Sequence, residues 1–391
     1  MSFFNRDNLF NYKPIPRAIP GNPGPQGATG LDANDWVPFS SSKYLPSSFG
    51  ITNIVGLTGL TNQNQKYWGG VLAANGKVYC IPYNEDKVLV IDPIGDTYYY
   101  PSGLTSIISN TEKWKGGVLA PNGKIYCANF SVSVTLVIDT NNDSFNYINK
   151  SNTANGVVLA QNNLIYFIPS RNVTDVEILN PENESIITIP NCKQNGNELV
   201  SGVLAQNGNI YCAPAGDNIS FNNYVFVINT INNTAGYTIA GLTNINTGSN
   251  NGNFFGPGAL SPNNKIYFPP SDFADHKITL VIDTNTNIGL TGVTSLNNVL
   301  KTSSSVLASD GKIYCINGFN SNILSIINPD TNTGITIAQN FTNTNQLLWK
   351  GSVLTPNGIY CVPYQADYIL KIKTGLPIYP NWMLDPYFNK F

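Results

Sequence analysis

The sequence has little charge, one histidine and no long apolar run, and each shortage argues against a class of function. Charged residues make up 11% of the 391 residues and the formal net charge is −2, whereas ordinary soluble domains are roughly 25% charged. Because no basic stretch is interleaved with aromatics, we expect no nucleic-acid binding. No stretch reaches the about 18 apolar residues of a membrane-spanning helix, so we also expect no membrane insertion. The N-terminus shows no apolar signal segment, and we expect synthesis without Sec-type export.

One phrase recurs seven times along the chain. It reads GGVLAANGKVYC in the first copy, SGVLAQNGNIYC in the fourth and SSVLASDGKIYC in the sixth. The leucines of successive copies are 47, 40, 45, 56, 47 and 47 residues apart. This spacing is the length of one four-stranded propeller blade, about 40 to 50 residues.

Each copy divides into strands at recognisable turn residues. The apolar VLA and KVYC runs of the first copy are separated by Asn75-Gly76, a pair that tolerates the positive φ angles of a two-residue hairpin. A third strand follows as VLVIDP from Val88, and a weaker fourth as TYYYPSGL from Thr97. No segment has a sustained 3.6-residue apolar period. We therefore predict an all-β fold, a seven-bladed β-propeller over residues 46–376.

The predicted ring closes with a strand from the N-terminal side. After the seventh copy, the third strand from Tyr368 is followed by a Pro-rich tail, residues 377–391, which makes a poor fourth strand. The segment GITNIVGLTGLTN from Gly50 is similar to the fourth-strand segments of other copies. We expect residues near 50–58 to complete the last blade and so remove an open sheet edge.

The repeat G-x-V-L-A-x-N-G-K-I-Y-C-x-P, followed by V-I-D-P/T, resembles the kelch-like propeller repeats of proteins from giant DNA viruses and some protists. The resemblance covers roughly residues 50–375. Residues 21–32 carry glycine at every third position, the collagen-like spacing, and short tracts of this kind are similar to those of viral and phage fibre and capsid-surface proteins. Two interpretations of the tract stay open: a triple-helical contact that makes a homotrimer, or an extended polyproline II linker.

Residues 1–45 are predicted to form an extended arm. Its apolar side chains have no core of their own, which favours docking onto a partner; a disordered tail is the alternative. The candidate anchoring residues are Phe3, Phe4, Phe10 and Tyr12.

The candidate binding surface is aromatic. Copies seven, one and two become neighbours when the ring closes, and each has an aromatic residue four positions before the Val of its repeat. Such side chains beside lysines suit glycan stacking or a protein anchor, while packing between blades is the alternative. The predicted surface comprises Tyr67, Trp68, Trp114, Phe255 and Trp349, with Lys66, Lys113, Lys115 and Lys350 nearby.

Few residues offer catalytic or metal chemistry. Five of the six cysteines occupy one repeat position that holds phenylalanine in the other two copies, so we predict buried free thiols and assembly in a reducing compartment. The one histidine, His276, follows Asp272 and Asp275 in a loop that is better interpreted as solvated than as a small site. No carboxylate pair indicates a glycosidase. We predict no catalytic residue, no metal and no cofactor.

These features favour a non-enzymatic structural or interaction protein of a large virus particle, a minor capsid protein or surface fibre assembled in the host cytoplasm. The arm would anchor the chain, and the propeller would bind capsid or fibre proteins. The alternative is a lectin-like propeller that binds a glycan or a host receptor. A propeller hydrolase or lyase is the third reading, because propellers also host enzymes.

Overall fold

The computed structural model describes residues 50–54, 56–60, 64–216, 225–237, 253–271, 279–293, 302–317, 323–338 and 347–374. The predicted arm with its anchoring residues, the collagen-like triplets, the loop with His276 and the C-terminal tail lie outside these ranges.

The strands form seven antiparallel sheets, here called blades 1 to 7. In chain order they are β1 (Gly50–Ile54) of blade 7; β2 (Tyr67–Leu72), β3 (Val78–Pro82), β4 (Leu89–Asp92) and β5 (Thr97–Tyr99) of blade 1; β6 (Trp114–Leu119), β7 (Lys124–Asn129), β8 (Val134–Asp139) and β9 (Ser144–Asn149) of blade 2; β10 (Ala154–Leu159), β11 (Ile165–Pro169), β12 (Val176–Leu179) and β13 (Ile186–Ile189) of blade 3; β14 (Leu199–Leu204), β15 (Asn209–Gly216), β16 (Phe226–Asn229), β17 (Thr234–Tyr237) and the short β18 (Asn253–Phe254) of blade 4; β19 (Ala259–Leu260), β20 (Lys265–Phe268), β21 (Leu280–Asp283) and β22 (Ile288–Thr291) of blade 5; β23 (Thr302–Leu307), β24 (Ile313–Asn317), β25 (Ile323–Asn328) and β26 (Thr333–Ala338) of blade 6; and β27 (Trp349–Thr355), β28 (Gly358–Pro363) and β29 (Ile369–Lys373) of blade 7. A 3-10 turn, Ser102–Leu104, precedes blade 2.

The blades form a ring. Each innermost strand contacts the innermost strands of two other blades, in the order β2, β6, β10, β14, β19, β23, β27 and back to β2. The predicted seven-bladed all-β propeller is therefore confirmed. We call the face at which the innermost strands begin the upper face, and the face at which they end the lower face.

The core lies between the blades. The first three strands of a blade are almost wholly buried, whereas the fourth is partly exposed, as in β9. The five repeat cysteines are buried within this packing, and all six cysteines are free. Burial raises the pKa of the Cys315 thiol to about 12, so the repeat cysteine acts as a small apolar side chain rather than as a nucleophile.

A repeated contact joins neighbouring blades at the lower face. In blade 1, the Asn75 Nδ2 donates hydrogen bonds to the Tyr79 hydroxyl (3.0 Å) and to the carbonyl of Thr140 in blade 2 (3.2 Å). The Tyr79 hydroxyl donates to Asp143 Oδ1 of blade 2 at 2.7 Å. We call this arrangement the interblade Asn–Tyr contact. It satisfies polar groups that the packing of blades removes from water.

The interblade Asn–Tyr contact recurs around most of the ring. It joins blades 2 and 3 (Asn122 and Tyr126 to Pro181), 3 and 4 (Asn162 and Tyr166 to Thr230), 4 and 5 (Asn207 to Thr284, Tyr211 to Asn287), 5 and 6 (Asn263 and Tyr267 to Pro329), and 7 and 1 (Asn357 and Tyr360 to Pro93). In blade 6 the asparagine is replaced by Asp310, which accepts from Tyr314 at 2.8 Å.

Where the tyrosine donates to a side chain of the next blade, the acceptor residue has a left-handed backbone conformation. Asp96, Asp143, Asn233 and Asn287 have φ angles of 51°, 54°, 54° and 55° in the hairpin between the third and fourth strands. Asn and Asp are the non-glycine residues that adopt this region most readily. The same turn requirement therefore places an oxygen acceptor beside the tyrosine of the preceding blade.

Blade 7 combines strands from both ends of the described chain, β1 with β27 to β29, and side-chain contacts join it to blade 1. The Tyr360 hydroxyl donates to Asp96, and the Lys371 Nζ lies 2.7 Å from Asp96 Oδ1. Strand β1 pairs with β29 from Gly50 opposite Lys373 to Ile54 opposite Ile369. The Leu57 N–H donates to the Asp367 carbonyl at 2.6 Å. That the ring depends on this N-terminal strand for closure stays a prediction.

Asp96 makes the junction of blades 7 and 1 sensitive to acid. Burial alone would raise the pKa of Asp96, but hydrogen bonds from Lys371 and Tyr360 and the charge of Lys371 outweigh it and lower the pKa. A carboxylate with a lowered folded pKa stabilises the fold above its unfolded pKa, about 3.9, and that stabilisation is lost as the pH falls through the folded pKa.

We predict that Asp96→Asn lowers the free energy of unfolding at pH 7 by less than about 1 kcal/mol, because the Asp96 side chain is half exposed. The matched control is Asp143→Asn, which alters the acceptor of the tyrosine contact between blades 1 and 2. Denaturant unfolding at pH 7 and below pH 4 measures both variants. An Asp96→Asn deficit that persists undiminished in acid would contradict the assignment.

We further predict that deletion of residues 46–60 lowers the melting temperature, because β29 would lose its partner strand. A deletion of equal length in the arm, residues 5–19, is the control and should leave the melting temperature unchanged. Equal melting temperatures for the two deletions would show that the ring closes without β1.

Candidate functional site

Six innermost strands of the described chain contain a β-bulge near their first residue. A bulge adds one residue to one strand of a pair and re-aims its side chain. The bulge residues that carry a side chain all line one cavity, and they are Trp68, Lys115, Asn155, Val200, Ser201, Ser303 and Lys350.

The cavity lies at the ring axis on the upper face, and we call it the axial cavity. Its volume is about 290 Å³. Blade 5 closes its wall with Phe255, Gly256 and Pro257, so all seven blades contribute to the lining. A volume of this size is near the lower limit of small-molecule sites, about 300 Å³.

Three glycines bring blades 7, 1 and 2 together in the wall of the axial cavity. Gly351, Gly69 and Gly116 have φ angles of 102°, 80° and 73°. A Cβ atom on Gly69 would lie 2.8 Å from the Gly116 Cα, and one on Gly351 would lie 2.6 Å from the Gly69 Cα. At Gly69 and Gly351 the positive φ angle and the lack of space for a Cβ atom therefore both disfavour a larger residue.

Blades 7, 1 and 2 give the cavity an aromatic and cationic side. The Trp68 ring lies 5.1 Å from the Tyr83 ring and 5.6 Å from the Tyr364 ring. The Lys115 Nζ lies 4.6 Å from the centre of Trp68 and 3.3 Å from that of Phe130. The Lys350 Nζ lies 4.9 Å from Trp68. Both ammonium groups thus have cation–π contacts with one indole ring.

A polar row crosses from this side towards blades 3 and 4. The Lys115 Nζ donates to Asn155 Oδ1 at 3.5 Å. The Asn155 Nδ2 donates to Glu198 Oε1 at 3.4 Å and to the Leu199 carbonyl at 3.1 Å. Asn155 therefore connects the lysine to the carboxylate, which faces the cavity from the far wall.

Lys115 has an unusually low basicity for an ammonium group. Burial lowers its pKa to about 8; the charge of Lys350 lowers it further, and the carboxylates of Glu198 and Glu112 act in the opposite direction. At neutral pH most of the Lys115 population is charged, and at pH 9 most is neutral. The site can therefore hold an anion at neutral pH and weakens as an anion site in alkali.

The structure places only some residues of the predicted aromatic surface in the axial cavity. Trp68 and Phe255 line the axial cavity. Tyr67, Trp114 and Trp349 are at most 1% exposed and pack between blades. Each of these three immediately precedes a bulge and points into the interblade core, whereas the residue after it points into the cavity.

Among the lysines predicted nearby, Lys115 and Lys350 reach the cavity. Lys66 and Lys113 are instead fully buried. The Lys66 Nζ donates to the carbonyls of Gln365 and Ala366, and the Lys113 Nζ to that of Glu85. These two ammonium groups therefore hold loops of the preceding blades.

The sequence interpretation missed Tyr83 and Tyr364, whose rings contact Trp68, and Phe130, whose ring lies 6.4 Å from that of Tyr83. Each directly follows the second strand of its blade, and these are blades 1, 2 and 7. The equivalent residues in blades 3, 4 and 5 are Ser170, Ala215 and Ser271. The sequence therefore did contain a signal for this cluster: the position after the second strand is aromatic in the copies that form blades 7, 1 and 2, which are neighbours in the ring.

Within the ranges that the structure describes, no three His, Cys, Asp or Glu side chains are grouped as metal ligands. In the same ranges, no helix has the length and hydrophobicity needed to cross a bilayer.

The comparisons with known proteins identify the fold and not an activity. No protein-family model matches the sequence, and no curated protein matches it. The structure is similar to a streptogramin B lyase structure, with a TM-score of 0.65 and 12% identity over 83% of this chain and 98% of that one. It is similar to a catalytically inactive virginiamycin B lyase from Staphylococcus aureus with quinupristin, with a TM-score of 0.65 and 11% identity over 83% and 99%.

Hydrazine synthase of Kuenenia stuttgartiensis is a third similar structure, with a TM-score of 0.60 and 10% identity over 82% of this chain and 98% of that one. At such identities the likeness shows a shared propeller fold alone, because one fold hosts many functions.

We predict that the Lys115 ammonium group titrates near pH 8 and responds to its neighbours in the cavity. Glu198→Gln should lower its pKa, because an opposing negative charge is lost, and Lys350→Met should raise it. NMR titration of the lysine side chains measures both shifts. The control is Lys113, whose pKa burial also lowers to about 8 but which faces Asp86 and Glu85. Equal shifts at both lysines would contradict the assignment.

Proposed function

We propose that this chain is a non-enzymatic interaction protein whose propeller binds a partner at the axial cavity. One observation carries the proposal: bulges in six blades turn unlike side chains into the same space. A bulge disrupts the ladder at each position, and its repetition at the mouth of a closed ring favours a binding role over a purely structural one.

The partner region is asymmetric in chemistry. Blades 7, 1 and 2 present Trp68, Lys115 and Lys350, while blades 3 and 4 present Asn155 and Glu198. An aromatic anchor beside charged and amide groups is typical of the central part of a binding site. A partner that directs an anionic group towards Lys115 and Lys350 and hydrogen-bond donors towards Glu198 would meet complementary groups on both sides.

We propose further that the chain acts within a larger assembly, a virus particle, as a minor capsid or surface fibre component. The support is in the sequence: the resemblance of the repeats, the collagen-like triplets of residues 21–32, and the apolar arm that precedes them. In this proposal Phe3, Phe4, Phe10 and Tyr12 anchor the chain to capsid or fibre proteins, and the propeller is free to bind its own partner.

A second candidate is carbohydrate binding, and the indole of Trp68 favours it. Its ring is partly exposed in the cavity, is held by Tyr83 and Tyr364, and lies near the amide of Asn155 across the Lys115 ammonium group. Stacking of a ring on an aromatic face together with amide and carboxylate hydrogen bonds is a usual way of holding a sugar.

We predict that the arm and the cavity have separable roles. A variant with Phe3, Phe4, Phe10 and Tyr12 changed to serine should fold but be lost from purified assemblies, because burial of those rings supplies the anchoring free energy. A Trp68→Ala/Lys350→Met variant should enter assemblies at the normal level but not retain the partner of the propeller. Quantitative mass spectrometry of purified assemblies measures both. Full incorporation of the arm variant, or a partner unaffected by the cavity variant, would refute the respective role.

A further inference from the structure

We infer that the axial cavity binds a sugar residue that carries a single carboxylate, such as a hexuronic acid, with its ring against Trp68 and its carboxylate near Lys115 and Lys350. This inference rests on the proposed role of the cavity as a binding site and names the class of ligand.

The lining of the cavity carries two lysines and one glutamate, Lys115, Lys350 and Glu198. The ammonium groups of Lys115 and Lys350 lie 4.6 and 4.9 Å from the centre of the same indole ring. Like charges held together in a partly buried space repel each other. The charged groups that face Lys115 are Lys350, Glu198 and Glu112, and Glu198 already accepts a hydrogen bond from Asn155. An entering carboxylate would therefore gain from both lysines, and charge-assisted hydrogen bonds are the stronger kind.

The aromatic ring sets the shape of the ligand. Trp68 contacts Tyr83 and Tyr364, at 5.1 and 5.6 Å between ring centres, and both tyrosines are buried. A ring held in this way loses little freedom when a ligand stacks on it, which favours binding. The C–H face of a pyranose ring is a flat apolar surface that can pack against the part of the Trp68 indole that these neighbours leave exposed.

The far wall distinguishes a sugar from an acidic peptide. Glu198 is an acceptor-only group when ionised, so it suits a ligand that offers hydroxyl donors on the side opposite its carboxylate. A peptide with several carboxylates would place a second negative charge towards Glu198, and this repulsion is unfavourable. The volume of about 290 Å³ accommodates one small ligand group and not a folded segment. Together these features favour one monoanionic sugar residue, at the end of a glycan or free.

The test compares two probes that differ in one group. Titration calorimetry of the full chain with methyl β-glucuronide and with the neutral methyl β-glucoside should show the glucuronide binding about tenfold or more tightly, a difference of about 1.4 kcal/mol. Lys350→Met should reduce this preference, because Lys115 alone remains to bind the carboxylate, and Trp68→Ala should weaken the binding of both probes. Lys124→Met, which changes a lysine at the lower face, is the matched control and should leave binding unchanged.

The pH dependence gives an independent readout. With the Lys115 pKa at about 8, glucuronide affinity should fall by up to about tenfold between pH 7 and pH 9, because binding then requires proton uptake. The weaker affinity of the neutral glucoside should stay constant over this range. A Lys115→Met variant should lose the pH dependence.

Three results would overturn the inference. They are equal affinity for the two probes, binding that no cavity variant changes, and tighter binding of an aspartate-rich peptide than of the glucuronide. Each leaves the proposed function standing if the Trp68→Ala/Lys350→Met variant still loses the partner in assemblies. If that variant keeps its partner, the proposed function is refuted, whatever the result with the two sugar probes.

Discussion

Most of the ring depends on a hydrogen-bonded contact between the asparagine and tyrosine of one blade and a turn of the next. The contact unites three features of the repeat that look separate in the sequence. Asn122 shapes its own hairpin, donates to the Tyr126 hydroxyl at 2.9 Å and reaches the Pro181 carbonyl of the next blade at 2.9 Å. A buried tyrosine that lost these partners would leave a hydroxyl unsatisfied at a cost of about 1–3 kcal/mol. The repeat is therefore constrained by the interface between copies as much as by the copy itself.

The fold could be predicted from the sequence because its signals are local and repeated. Asn-Gly pairs, VLA and KIYC runs and blade-length spacing each have a direct structural meaning. The interblade role of Asn75 and Tyr79 could not be predicted, because it needs the relative placement of two blades that no single copy specifies. The acceptor role of Asp96 and Asp143 could not be predicted either, because it depends on the left-handed backbone conformation of these two residues in their turns.

The candidate site could be predicted in location but not in composition. The sequence placed an aromatic and cationic sector over blades 7, 1 and 2, and Trp68, Lys115 and Lys350 lie there. Alternation along a strand predicts which residues share a face only where the ladder is regular. A bulge inserts a residue and changes the alternation. The Trp114 side chain therefore lies in the core between blades, and the Lys115 side chain faces the axial cavity. Six such bulges are the reason that side-chain direction at the cavity could not be obtained from spacing alone.

In the proposed binding role, the two faces of the ring have separate tasks, stability at the lower face and recognition at the upper face. At the lower face nearly every blade uses the same asparagine and tyrosine, whereas at the upper face the bulge positions hold tryptophan, lysine, asparagine, valine and serine. Their side chains take no part in the interblade Asn–Tyr contacts, which lie at the opposite end of the strands. Single substitutions at these axial positions can therefore change the chemistry of the cavity while the contacts between blades stay the same. Such a change needs no insertion, no deletion and no new backbone.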